Sequence, residues 1–280
     1  MDGFILVDKE KGVTSFNVCN KIKYNLGLNK TGHSGTLDPN ATGLMIVATN
    51  RATKLLKLLN YDTKEYITEI IFGFDSISYD IDSTITNEID MNFTLEDLKE
   101  KMYILRNKKT QLPPKISAIK LNGKKLMNYT EDIEIKERDV YIIDDELLSL
   151  KKEDKHFIAT IRLKVSKGFY IRSYAHDLGI LLGGCAIVKE LRRTKIENLI
   201  IENAKTINNI NENDIIPIDK FFNFKTLEVD EYRAHLAKNG VTFDKRQTTM
   251  HGTFFVKCKE QTIAIYEETE ENIYKPLLIF

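Results

Sequence analysis

The densest chemistry in the chain runs from Gly32 to Gly43, GHSGTLDPNATG, where three glycines, a proline and small polar side chains surround one acid, Asp38. Glycines let a ligand approach the backbone closely. A proline biases the residue before it towards an extended conformation, so Pro39 can hold the Asp38 carboxylate outward. An ionised carboxylate presented in this way can act as a nucleophile or as a base. Asp-Pro is also a common turn signal, and a hydrogen-bonding turn aspartate accounts for the same residues. No metal is expected beside it. Cys19, Cys185 and Cys258 lie far apart and are odd in number, and the five histidines show neither HExxH spacing nor a Cys/His cluster.

Other short patterns follow one another in order. They are Asp8-Lys9-Glu10-Lys11-Gly12-Val13-Thr14-Ser15, Lys64-Glu65-Tyr66, Pro113 to Lys120 with Gly123-Lys124-Lys125, Ser166-Lys167-Gly168-Phe169-Tyr170-Ile171-Arg172-Ser173, and Leu191-Arg192-Arg193. Together with GHSGTLDPNATG and Arg51-Ala52-Thr53-Lys54, this series resembles the TruB family of tRNA pseudouridine synthases, whose loop pattern is GH[TS]GxLDPxATG. The resemblance runs from about residue 3 to 196 and is weaker in the tail. It implies that Asp38 is the catalytic aspartate, that His33 lies beside the flipped nucleotide, and that Tyr66 stacks on the target base. It further implies that Tyr170 and Leu191 contact substrate, that Arg172 sits beside the aspartate, and that Lys9, Lys115, Lys120 and Lys124 meet the RNA backbone. Two departures stand out: Glu10 replaces a proline, and Gly73 to Asp80 diverges from the family's GxxTDTxDxxG stretch.

Ordinary readings of the same residues stand beside these. Tyrosines in strand-like settings are commonly partly buried core residues, Arg172 could pair on the surface or bind a phosphate, and Leu191 reads as plain core. The chemistry nevertheless agrees with the resemblance. Turning uridine into pseudouridine breaks a glycosidic bond, rotates the base and rejoins the sugar at C5, with no redox change and no group donor, so no cofactor is expected. A hydrolytic glycosidase would need a second carboxylate and a place for water, and the loop offers one carboxylate. A base drawn out of its stack needs an aromatic or apolar platform, which suits Tyr66.

These residues need a scaffold, and its elements are readable. Phe4 to Val7 and Leu44 to Ala48 are short apolar runs of the buried-strand type, and Lys64 to Phe72 alternates so that Tyr66, Thr68 and Ile70 share a face. Val140 to Leu150 and Phe157 to Val165 read as a strand pair, and Ala186 to Ile196 as another strand. Helices are predicted after Thr14-Ser15, over 51–59, from the Thr94/Asp97 capping box to Leu105, and from Tyr170 to a stop at Gly183-Gly184. Asp75 to Asp90 reads as loop, and Pro113-Pro114 makes Lys108 to Lys125 an extended excursion. After Pro217 come a helix near 229–237 and short strands. The expected fold class is α+β (mixed α/β). The resemblance implies a catalytic domain, 1–222, around a largely antiparallel sheet, with an RNA-gripping insertion at 108–135 and a small β-rich RNA-binding-like domain at 223–280.

Net charge is zero, yet residues 1–60 carry 8 basic against 4 acidic side chains, 101–130 carry 8 against none, and 161–205 carry 9 against 4. If folding gathers these segments they form a phosphate-binding face. Otherwise they are solvated surfaces. No apolar run approaches bilayer length and no targeting leader is evident, so a cytoplasmic protein is expected. The resemblance implies the T stem-loop of tRNA as partner, modified at position 55 by a monomer with no obligatory protein partner and no membrane. The rival readings are a guide-RNA-dependent synthase subunit and a non-catalytic tRNA-binding folding factor.

Overall fold

The computed structural model describes residues 1–59, 61–114, 116 and 136–280, with the backbone alone at 120–121 and 124–125. The principal strands are β1 (Gly3–Lys9), β2 (Thr31–Ser34), β3 (Thr42–Thr49), β4 (Thr63–Phe72), β5 (Ile142–Glu153), β6 (His156–Ser166) and β7 (Ala186–Ile196). They lie in the order β5-β6-β4-β7-β3-β1, with β2 on β3. Pairing is antiparallel except where β7 meets β3 and where Lys205–Thr206 adds to β1. Helices α1 (Ser15–Asn25), α2 (Leu95–Asn107) and α3 (Ile171–Leu181) pack on one face.

Alternation along the two apolar strands builds three layers. Ile5, Val7, Met45 and Val47 face the core shared with Val18 and Ile22 of α1, whereas Phe4, Leu6, Leu44 and Ile46 face a second core. That second core is closed by Ala52, Leu55 and Leu59 and by Phe255, Ile265 and Leu278 of the C-terminal sheet. Strands covered on both faces lose the polar/apolar alternation, which is why both runs read as uninterrupted apolar sequence. The C-terminal sheet runs in the order 225–228, 253–258, 261–270, 273–279, 243–244.

Three local expectations change. Residues 50–58 form a 3-10 rather than an α-helix, with Ala52 and Leu55 buried at the three-residue spacing that suits it. The acidic stretch contains a small hairpin, Phe74–Ser76 with Ile85–Glu88, and the exposure of the latter strand explains its polar, loop-like sequence. Residues Thr31–Ser34, read as part of a loop, pair with Ile46 to Thr49. In the basic excursion, Thr110–Gln111 pairs with Arg138–Asp139, and 120–121 pairs with 124–125. Lys115 and the side chains of Lys120 and Lys124 lie outside the described residues. Among the described residues no helix is long and apolar enough to cross a membrane.

Candidate active site

The N-terminal segment holds the Asp38 loop in place. Ser15 Oγ donates to the Leu37 carbonyl and accepts from the Leu37 N–H, both at 3.0 Å. The Gly12 N–H donates to Pro39 O at 2.9 Å, and Ala41 N–H closes a turn on Asp38 O at 3.1 Å. Lys9 is buried, and its Nζ donates to the carbonyls of Glu10, Pro39 and Ala41 at 3.0, 2.9 and 2.5 Å. Burial, helped by Arg193, draws the Lys9 ammonium down to about 8 against the pull of Asp38. This corrects the expectation that Lys9 meets the RNA backbone. A side chain with no exposed surface, three carbonyl partners and no part in the cavity wall supports the loop from beneath. The loop's last glycine has a steric cause: Gly43 has φ +105°, and a Cβ there would lie 2.3 Å from Arg193 O.

Above this support, Asp38 sits at the wall of a cavity of about 310 Å³. Arg172, nearly buried at the start of α3, places Nε 2.9 Å from Asp38 Oδ2 and Nη2 3.3 Å from Oδ1. Its Nη1 donates to Ser78 O at 2.9 Å and Ile116 O at 2.8 Å. The Gly73 to Asp80 stretch therefore stands behind the ion pair. Ser78 supplies a carbonyl, and buried Asp80 accepts from Asn40 Nδ2 at 3.4 Å while burial raises its carboxyl. Tyr66, Tyr170 and Leu191 also line the cavity, with Tyr66 and Leu191 mostly buried. Gln111 fixes Tyr170 by accepting from its N–H at 2.8 Å and donating to its carbonyl at 2.9 Å. His33 does not line the cavity. It stands on β2 opposite Val47, and burial together with Arg193 lowers its pKa, favouring the neutral ring.

Among the described residues lining the cavity, Asp38 is the single carboxylate. The guanidinium fork fixes the orientation of the Asp38 carboxylate. Such a site can offer a positioned carboxylate to a sugar carbon while an aromatic ring and a leucine bracket a planar base.

The family described as "TruB family pseudouridylate synthase (N terminal domain)" matches over residues 23–171. The chain belongs to the TruB family. It is 36% identical over 287 residues to "tRNA pseudouridine synthase B" of Onion yellows phytoplasma, covering all of both chains. It is 34% identical over 294 residues to the protein of the same name from Lactobacillus acidophilus, covering 100% of this chain and 98% of that one. Two solved structures share the fold. A chain of "Structure of H/ACA RNP bound to a substrate RNA containing 2'-deoxyuridine" has TM-score 0.67 and 20% identity, covering 99% of this chain and 84% of that one. A chain of "Crystal Structure of a Cbf5-Nop10-Gar1 Complex" has TM-score 0.66 and 22% identity, covering 96% and 79%.

In this TruB chain the cavity also holds two cations, Lys64 and Arg193. Lys64 lies two before Tyr66 on β4, and Arg193 two after Leu191 on β7, and both line the cavity. The signal that finds them is strand periodicity, because residues two apart share a face. Gln111 and Ser78 carried no such signal, since each acts through a contact far away in sequence.

Proposed function

We propose that this protein isomerises uridine 55 in the T loop of tRNA to pseudouridine, using Asp38 at the sugar and needing neither cofactor nor guide RNA. The observation that carries this reading is a carboxylate, single among the described lining residues, forked onto a buried arginine at the wall of a cavity of nucleoside size. The Asp38 carboxylate can attack C1′ or remove a proton from C2′, and either route releases the base without water. Tyr66 and Leu191 then hold the freed base while it turns; C5 bonds to C1′ as the Asp38–C1′ bond breaks, or as the C2′ proton returns, and the proton on C5 is then lost while N1 takes one up from solvent. Residues 108–135 grip the RNA stem, and 223–280 extend the RNA contact. The protein acts as a monomer in the cytoplasm, and the tRNA named in its relatives is its substrate.

The test is to incubate an unmodified tRNA transcript with the pure protein alone and map pseudouridine. Conversion at position 55 is expected. Conversion only when a guide RNA is added would contradict the stand-alone reading, and conversion at another site would contradict the T-loop assignment.

A further inference from the structure

Lys64 and Arg193 are cavity-wall cations that the chemistry above leaves without a task. Arg193 is 1% exposed and gives Nε to Leu44 O at 2.8 Å and Nη2 to Gly35 O at 3.1 Å. Lys64 is half-buried, and neither side chain forms an ion pair among the described residues. Gly35 lies between them with φ +76°. A Cβ there would be 3.5 Å from Arg193 Nη1 and 3.8 Å from Lys64 Cε, so the missing side chain leaves the space between the cations open. All three residues line the cavity that holds Asp38.

Like charges held side by side in a half-buried wall are unfavourable unless an anion joins them. Burial, with Arg193 and Lys167 adding to it, draws the Lys64 ammonium down to about 8, so the neighbouring acids Asp62 and Glu197 do not compensate it. Arg172 already has Asp38, which leaves two positive charges over. The uracil base is neutral. The anion that accompanies it is the phosphodiester on its own sugar, a few bonds from C1′, just as Gly35 is three residues from Asp38.

Resting on the reading above, we propose that Lys64 and Arg193, across the gap at Gly35, seat the phosphodiester attached to the target uridine. Anchoring the sugar through its phosphate keeps C1′ at Asp38 while the detached base rotates. The phosphate contact is made equally before and during the reaction, so its loss is read chiefly in binding and KM.

The experiment uses a T-arm stem-loop RNA carrying an uncharged methylphosphonate on the 5′ or the 3′ side of the target uridine, with the parent protein, Lys64→Met and Lys64→Arg. On unmodified RNA, Lys64→Met should raise KM about tenfold and lower the salt slope of binding by about 1, with a far smaller change in kcat, and Lys64→Arg should restore binding. One of the two methylphosphonates should weaken binding to the parent but cost Lys64→Met clearly less, because only Arg193 then remains to lose its contact. Equal losses for parent and Lys64→Met at both positions would overturn the seat. So would a fall in kcat at unchanged KM with an altered pH profile, which would make Lys64 a proton-transfer group. If the parent itself forms no pseudouridine in unmodified RNA, the proposed function fails. If the parent is active and Lys64→Met binds identically, only the seat fails.

Discussion

Arg172 meets three partners with one planar group: both oxygens of Asp38, the Ser78 carbonyl and the Ile116 carbonyl. A lysine ammonium presents a point charge without the fork, so it cannot orient the carboxylate and satisfy both carbonyls together. Arg172→Lys should therefore lower kcat by about a hundredfold with a smaller effect on tRNA binding. Single-turnover kinetics beside a binding titration checks this, and parental kcat would show that the fork is dispensable. Lys9 poses the opposite case, a residue whose importance was legible but whose task was not. Its neighbours in the sequence suggested a substrate contact, whereas burial and three carbonyls make it a support. Lys9→Met should cost about 2 kcal/mol of stability by leaving buried acceptors without a donor, read as a lowered denaturant midpoint. A midpoint equal to the parent's would mean that the carbonyls find other donors.

Among the elements, the strands were the most legible part of the sequence and their joints the least. The apolar runs of β1 and β3 and the alternation of β4 locate the three strands that carry Lys9, Gly43 and Tyr66. Alternation along β4 and along β7 likewise puts Lys64, two residues from Tyr66, and Arg193, two residues from Leu191, on the cavity wall. What no local pattern encodes is the parallel meeting of β7 with β3, where Arg192 and Arg193 pair with Thr42 and Gly43. The glycine there answers to a backbone atom 150 residues away in sequence. Gly43→Ala combines a left-handed φ with a collision against fixed backbone, so it should destabilise by more than about 2 kcal/mol and reduce activity by displacing the Asp38 loop. Thermal unfolding and turnover measured together check this. A fully stable but inactive variant would mean that the loop, not the strand joint, takes up the strain.

For the molecule as a whole, composition indicated a two-part chain but not how closely the parts are joined. Phe255, Ile265 and Leu278 of the C-terminal sheet share one core with Phe4, Leu6, Leu44 and Ile46, and Phe4 stacks on Phe221 at 4.1 Å. Removing residues 223–280 would bare the back of the sheet that carries Asp38. The full chain should accordingly unfold in one calorimetric transition, and Phe255→Ala should lower that transition by about 3 kcal/mol in stability and not split it. Two separate transitions in the parent would contradict the shared core.

The central claim concerns one carboxylate, and Asp38→Asn changes its charge with little change in shape. The most direct measurement is single-turnover formation of pseudouridine at position 55 by Asp38→Asn, with protein in excess over tRNA transcript and binding confirmed in the same reactions. The account predicts bound tRNA and no detectable pseudouridine. Pseudouridine forming at the parental rate would contradict it.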